Sequence, residues 1–185
     1  MKSKLLICIC ILTLLLAGCG SLNTEDSHLT SEEEQSATEQ VENAQLIFSA
    51  VDFQGNTITQ EIFAESRLTV VNVWASYCSP CVREMPDLEE LSKEYDVSEV
   101  QVIGIASDAT DDKFKGYAES VIENTGVEFL NLLPSEDLYD CGFTDVQYVP
   151  TTFFVNSEGE VIDRVVGSKS KEEWKKMIDD KLASL

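Results

Sequence analysis

The run Leu68-Thr-Val-Val-Asn-Val-Trp74 leaves room for little but a strand covered on both faces, because it never alternates toward water. It ends just before Cys78-Ser-Pro-Cys81, after which Val82, Met85, Leu88, Leu91 and Tyr95 recur at steps of three and four. That spacing predicts an amphipathic helix, which Pro86 is expected to kink. A buried strand feeding a helix requires a sheet with helices layered on it. Val100-Gln-Val-Ile-Gly-Ile-Ala106 predicts a second buried strand. Phe114, Tyr117, Val121 and Ile122 predict one face of a further helix that Gly126 ends.

The flanks complete the pattern. Leu46–Phe53 and Thr57–Thr59 surround Gln54-Gly55-Asn56 and predict an N-terminal hairpin. Thr151–Val155 and Val161–Val166 surround Asn156-Ser-Glu-Gly159 and predict a second one. Ser170 and Glu173 have the spacing of a capping box ahead of a last helix whose buried stripe is Trp174, Met177, Ile178 and Leu182. The order β-β-β-α-β-α-β-β-α predicts one α/β domain over residues 46–185, a mixed central sheet flanked by helices with an N-terminal β-hairpin extension. No internal repeat is evident.

The chemistry is concentrated where the first buried strand becomes a helix. A cysteine at a helix start meets unpaired backbone N–H groups and the positive end of the macrodipole, both of which favour a thiolate. Cys81 follows one turn later and can close a small disulfide ring shielded by the helix. Pro80 suits the first turn, where a missing N–H is no loss. A structural zinc site needs two further ligands, and the sequence has no second CxxC and a single histidine, His28. A c-type haem attachment needs histidine where Val82 stands. A structural bridge closing so short a loop stabilises little. Redox catalysis is therefore the leading reading, with metal binding and an inert bridge as rivals.

Residues 1–45 read as an address and a tether. Lys2 and Lys4 precede an apolar run from Leu5 to Ala17, the n- and h-regions of a secretory signal. Thirteen residues span roughly 20 Å as a helix, short of a hydrocarbon core of about 30 Å. The ending Leu16-Ala17-Gly18-Cys19 resembles the bacterial lipobox, which implies removal of residues 1–18 and a diacylglycerol thioether on Cys19. Two or more acyl chains make such attachment stable. Cys8, Cys10 and Cys19 then leave the redox arithmetic, and the mature chain keeps Cys78, Cys81 and Cys141 in a compartment where disulfides persist. Residues 20–45 carry seven acids, no Lys or Arg and no aromatic residue, the composition of a disordered tether with His28 solvated within it. About 26 flexible residues reach roughly 28 Å.

The whole chain has 13 Lys+Arg against 34 Asp+Glu, a net charge of −21, which argues against nucleic acid and against a basic patch for anionic lipid.

The run Val70–Cys81, with Tyr148-Val-Pro-Thr-Thr-Phe-Phe-Val-Asn156 downstream, resembles the TlpA/ResA branch of the thioredoxin superfamily, membrane-tethered extracytoplasmic thiol–disulfide oxidoreductases. The resemblance covers residues 46–185 and implies a thioredoxin-like fold. It implies that Cys78 is the exposed, attacking cysteine and Cys81 the buried, resolving one, and that Pro150 is a cis-proline. The loop Val149-Pro150-Thr151 would then pack on the CxxC and offer backbone groups to an extended substrate. It places Glu84 near the cysteines, where its carboxylate can shuttle the proton of Cys81; a solvated helix glutamate is the alternative. It implies a reductase for exported protein disulfides, such as those of apocytochrome c or methionine sulfoxide reductase, recharged by a membrane thiol carrier. The dithiol is the whole redox centre, so no cofactor or metal is expected.

Three positions depart from the pattern. Asn72 stands where thioredoxin has a buried aspartate, Tyr77 replaces a common tryptophan, and Cys141 lies outside the motifs, expected buried and inert rather than reactive. The related AhpC/TSA peroxidases use Pro-x-x-x-Thr/Ser-x-x-Cys, and Val71 and Ala75 occupy the first two of those positions here. A binding or metal-chaperone lipoprotein on the same scaffold is the non-enzymatic rival.

Overall fold

The computed structural model describes residues 46–185. The segments expected to be a signal (1–18) and a lipidated Cys19 with its tether (19–45) lie outside them. The elements are β1 (Ser49–Val51), β2 (Thr57–Thr59), a 3-10 helix (Gln60–Glu65), β3 (Leu68–Trp74), α1 (Ser79–Glu94), β4 (Val100–Ala106) and α2 (Asp112–Thr125), then β5 (Leu130–Leu132), α3 (Glu136–Asp140), β6 (Thr151–Asn156), β7 (Val161–Val166) and α4 (Lys171–Leu182). β1 and β2 form a separate antiparallel hairpin, and the main sheet has the order β5-β4-β3-β6-β7. β3 pairs parallel with β4 and antiparallel with β6, so the sheet is mixed.

Period-two alternation divides β3 between two cores. Val71 and Val73 face a layer built from Phe48, Phe63, Leu138 and Phe143 of the hairpin, 3-10 and α3 region. Leu68 and Val70 face Leu88 and Leu91 of α1 and Trp174 and Ile178 of α4. Burying each of these large apolar side chains contributes roughly 1.5–3 kcal/mol before chain entropy is subtracted. Both faces are thus covered, as the unalternating sequence of β3 requires.

A third cluster surrounds the cysteines and includes Trp74, Met85, Ala106 and Ala118. Gly104 is required beside it, because a Cβ there would run into Asn131 Oδ1, which already accepts from Trp74 Nε1 at 2.9 Å. The capping box of α4 forms as read, with Ser170 N donating to Glu173 Oε2 at 2.9 Å and Glu173 N to Ser170 Oγ at 3.3 Å. Gly126 closes α2 in the left-handed region at φ 70°.

Four features differ from the sequence reading. The 3-10 helix, β5 and α3 were not anticipated; β5 has three residues and α3 five, each shorter than the window in which periodicity can register. β1 is only Ser49–Val51, because Asp52 leaves the strand to hold the turn, its Oδ1 accepting from Gln54 N at 2.9 Å and Asn56 N at 2.8 Å. In α2 only half the expected stripe packs: Val121 and Ile122 reach the third cluster, whereas Phe114 and Tyr117 are exposed and stack edge-on at 6.0 Å. The residue that α2 buries is Ala118. Finally, α1 runs unbroken through Pro86, whose missing N–H leaves the Val82 carbonyl without its helical donor.

Candidate active site

β3 delivers the chain to the carboxyl edge of the sheet and α1 carries it back. The turn between them is held from β4: Ser107 N and Oγ both donate to Trp74 O at 2.9 Å, and Asp108 accepts from Ser76 N at 3.0 Å and from Ser76 Oγ at 2.6 Å. Cys78 N donates to Ala75 O at 3.0 Å, which closes the turn. Cys78 is the N-cap of α1, its Sγ accepting from Cys81 N at 3.2 Å, and Pro80 occupies the first turn. The cap geometry thus places one backbone N–H of the helix start on the Cys78 sulfur, where it favours a thiolate.

Cys78 and Cys81 are joined by a disulfide with Cα atoms 5.3 Å apart. Cys81 is wholly buried and Cys78 is 6% exposed. The expected order of accessibility is present, but Cys78 is not the openly exposed residue that its place ahead of the helix predicted. Its sulfur lies 3.5 Å from Val149 O, and that loop covers it. The Val149–Pro150 bond is cis. Thr151 Oγ1 donates to Tyr148 O at 2.7 Å and Gly167 N donates to Pro150 O at 2.8 Å, so both sides of the proline are anchored. Tyr77 precedes Cys78 and Tyr148 precedes Val149, and their side chains are 74% and 68% exposed.

Glu84 is 3% exposed, which removes the solvated-helix alternative. It lies one turn beyond Cys81 on α1. Its Oε1 accepts from Asn72 Nδ2 at 3.2 Å, and its Oε2 accepts from Lys169 N at 3.1 Å and Trp174 Nε1 at 3.2 Å. Burial pushes its carboxyl above the ordinary carboxylate range, opposed by the hydrogen bonds from Lys169, Asn72 and Trp174 and by the Lys169 charge. Asn72 also donates to Thr152 Oγ1 at 2.9 Å across the β3–β6 pair.

Lys169, Trp174, Thr152 and Asp108 were missed as site residues. Lys169 and Trp174 are 85 and 90 positions from Glu84, and only the packing of α4 against α1 brings them to it. The helical stripe marks Trp174 as buried but not as a partner of Glu84, and no local pattern marks Lys169. Cys141 is half-buried rather than fully buried, its thiol donating to Ile47 O at 3.1 Å, and desolvation raises its pKa. Among the described residues no group of three or more His, Cys, Asp or Glu side chains could hold a metal.

The family model described as Redoxin matches residues 37–181. The thiol-disulfide oxidoreductase ResA of Bacillus thuringiensis subsp. konkukian is 26% identical over 179 residues, covering 94% of each chain. Two solved structures share the fold. StoA from Bacillus subtilis has a TM-score of 0.58 at 20% identity, covering 72% of this chain and 96% of its own. A secreted Mycobacterium tuberculosis disulfide oxidoreductase homologous to E. coli DsbE has a TM-score of 0.60 at 21% identity, covering 74% and 97%.

Proposed function

Because the chain belongs to the Redoxin family, as a ResA-like oxidoreductase of the thioredoxin superfamily, we propose that it reduces disulfides of exported proteins while held to the outer side of a bacterial membrane by a lipid on Cys19. The observation that carries this reading is the Cys78–Cys81 pair at the start of α1, with the outer sulfur against Val149 O and a buried carboxyl one turn below the inner one.

In the reducing direction the Cys78 thiolate attacks one sulfur of a client disulfide. A Cys78–client bond forms, the client S–S bond breaks, and one client thiolate leaves. Cys81 then loses its proton to Glu84 and attacks Cys78 Sγ. The Cys78–Cys81 bond forms, the mixed disulfide breaks, and the second client thiolate leaves; the client has gained two electrons and the protein has lost them. Glu84 passes its proton to solvent or to the departing thiolate. A membrane thiol carrier restores the dithiol. Apocytochrome c and methionine sulfoxide reductase are the client types proposed. The anchored Val149-Pro150-Thr151 segment leaves backbone groups beside Cys78 for an extended client strand to pair with.

Insulin reduction with a dithiol donor tests the activity. Catalytic precipitation of insulin chains, lost when the CxxC is removed, is the expected result. Consumption of hydrogen peroxide without insulin reduction would indicate a peroxidase instead. Stoichiometric metal binding without either activity would indicate the non-enzymatic scaffold.

Glu84→Gln separates the carboxyl from the thiols. Removing a negative charge near Cys81 should lower at least one active-site thiol pKa, read by the pH dependence of alkylation. Removing the proton acceptor should slow resolution of the mixed disulfide at neutral pH. The same variant has a stability signature. Because the folded-state pKa of Glu84 is raised, its contribution to stability is fully present below the unfolded value of about 4.3 and is lost as pH rises through the folded one. Glu84→Gln should therefore match the wild type in acid and melt higher at neutral pH. Unchanged thiol titration and an unchanged melting profile would overturn the assignment.

A further inference from the structure

Asn72 sits at the centre of β3, wholly buried, paired with Gly104 on one side and Thr152 on the other. Its amide nitrogen serves two acceptors, Glu84 Oε1 at 3.2 Å and Thr152 Oγ1 at 2.9 Å, while its carbonyl Oδ1 has no hydrogen-bond partner. A buried amide oxygen without a donor is costly, and the Glu84 carboxyl beside this amide and the Trp174 indole on that carboxyl are buried too. The two neighbours of the amide nitrogen share one property: each is an oxygen that can carry a proton. Thr152 always has one, and Glu84 has one whenever its carboxyl is neutral.

We propose that Asn72 is a two-way positioning residue that keeps Glu84 hydrogen-bonded in both of its protonation states. With Glu84 ionised, Nδ2 donates to it and to Thr152, the arrangement seen here. With Glu84 protonated, a half-turn of the amide brings Oδ1 to the same place, where it accepts from the Glu84 carboxyl O–H and the Thr152 hydroxyl. The amide's two ends have nearly the same shape, so the turn needs no change in packing, and one end of the amide is without a partner in either state. An aspartate at this position would face Glu84 with a second negative charge, and an apolar side chain would leave Glu84 unpaired on this side in either state. The groups facing the carboxyl are Asn72 from β3, Thr152 from β6 through that amide, the Lys169 backbone N–H and ammonium from the segment after β7, and the Trp174 indole from α4; Cys81 lies one turn earlier on α1. Lys169 is the one charged partner among them, and its backbone and the indole can only donate. Asn72 is thus the partner able to answer a change in the proton. This inference rests on the reading of Glu84 as proton acceptor for Cys81.

The test uses the reduced full-length protein and dithiobis-nitrobenzoate, which releases one thionitrobenzoate when Cys78 attacks and a second when Cys81 resolves. Asn72→Leu should leave the first release within about twofold. It should slow the second about tenfold near neutral pH and move its pH limb by about one unit. Asn72→Asp should split that limb into two steps, because two coupled carboxyls titrate as a pair. In a Glu84→Gln background, Asn72→Leu should add no further loss. A loss that persists in that background, or a second release unchanged in both Asn72 variants, would overturn the proposal. Thr152→Val keeps the sheet intact and should shift the limb in the same direction by a smaller amount, so the proposal stays testable if Asn72→Leu does not fold. If Glu84→Gln alone leaves the second release unchanged at every pH, both the Glu84 reading and this one fall, while exchange at the cysteines stands.

Discussion

Cys81→Ser protein is expected to accumulate mixed disulfides with its clients, whereas Cys78→Ser protein captures none and neither variant turns over. The physical basis is the unequal placement of the two sulfurs. Cys78 caps α1 and keeps a sliver of exposed surface, while Cys81 is sealed beneath the helix start. A client sulfur can therefore reach only Cys78, and the step that releases it belongs to Cys81. Without Cys81 the first bond forms and stays; without Cys78 no first bond forms. Turnover should fall by at least about 10³-fold in either case, the scale of loss when one member of a catalytic unit is removed. Non-reducing gels of cell extracts should show high-mass species for Cys81→Ser that collapse with reductant. Cys141→Ser should alter neither pattern, because that thiol is bonded to Ile47 O and raised in pKa. Equal trapping by both single variants, or trapping that needs Cys141, would show that the nucleophile is wrongly assigned. The narrow exposure of Cys78 adds a condition: clients must present the disulfide on an extended segment that fits beside Val149, so compact folded disulfides should be poor substrates.

Cys19→Ala should release the protein from the membrane or leave it as an unprocessed precursor. The expectation follows from the sequence Leu16-Ala17-Gly18-Cys19 after an apolar run too short to span a bilayer. Among the described residues no helix is long and apolar enough to cross a membrane. A diacyl anchor holds stably where one chain would bind only reversibly, so the shift between fractions should be nearly complete. Membrane fractionation and N-terminal mass analysis of wild type and variant measure it. Wild-type processing and attachment in Cys19→Ala would refute the lipid anchor. The redox predictions do not depend on this outcome, because they concern residues 46–185.

The sequence determined on its own whatever depends on local pattern. The unalternating runs of β3 and β4 could only be strands covered on both faces, and the three-and-four spacing after Cys81 could only be a helix lying on them. Cys78-Ser-Pro-Cys81 at that junction fixed where redox chemistry could occur, since a cap sulfur, a first-turn proline and a buried second sulfur are all set within a few residues. What local pattern could not carry was decided by tertiary packing. Phe114 and Tyr117 have the spacing of a buried stripe, yet they stay in water because α2 meets the core through Ala118, and spacing does not say which part of a stripe finds a partner. The surroundings of Glu84 come from three separate segments, Asn72 on β3, Lys169 after β7 and Trp174 on α4, and only their convergence makes a helix glutamate a buried acid. For Cys78 the resemblance implied that the Val149-Pro150-Thr151 loop packs on the pair, but how far the Val149 carbonyl closes off a thiol expected to be open was decided by the fold. Position along a chain sets which groups can react, whereas desolvation and hydrogen bonding, which set how readily they do, are properties of neighbours that the chain brings together only when it folds.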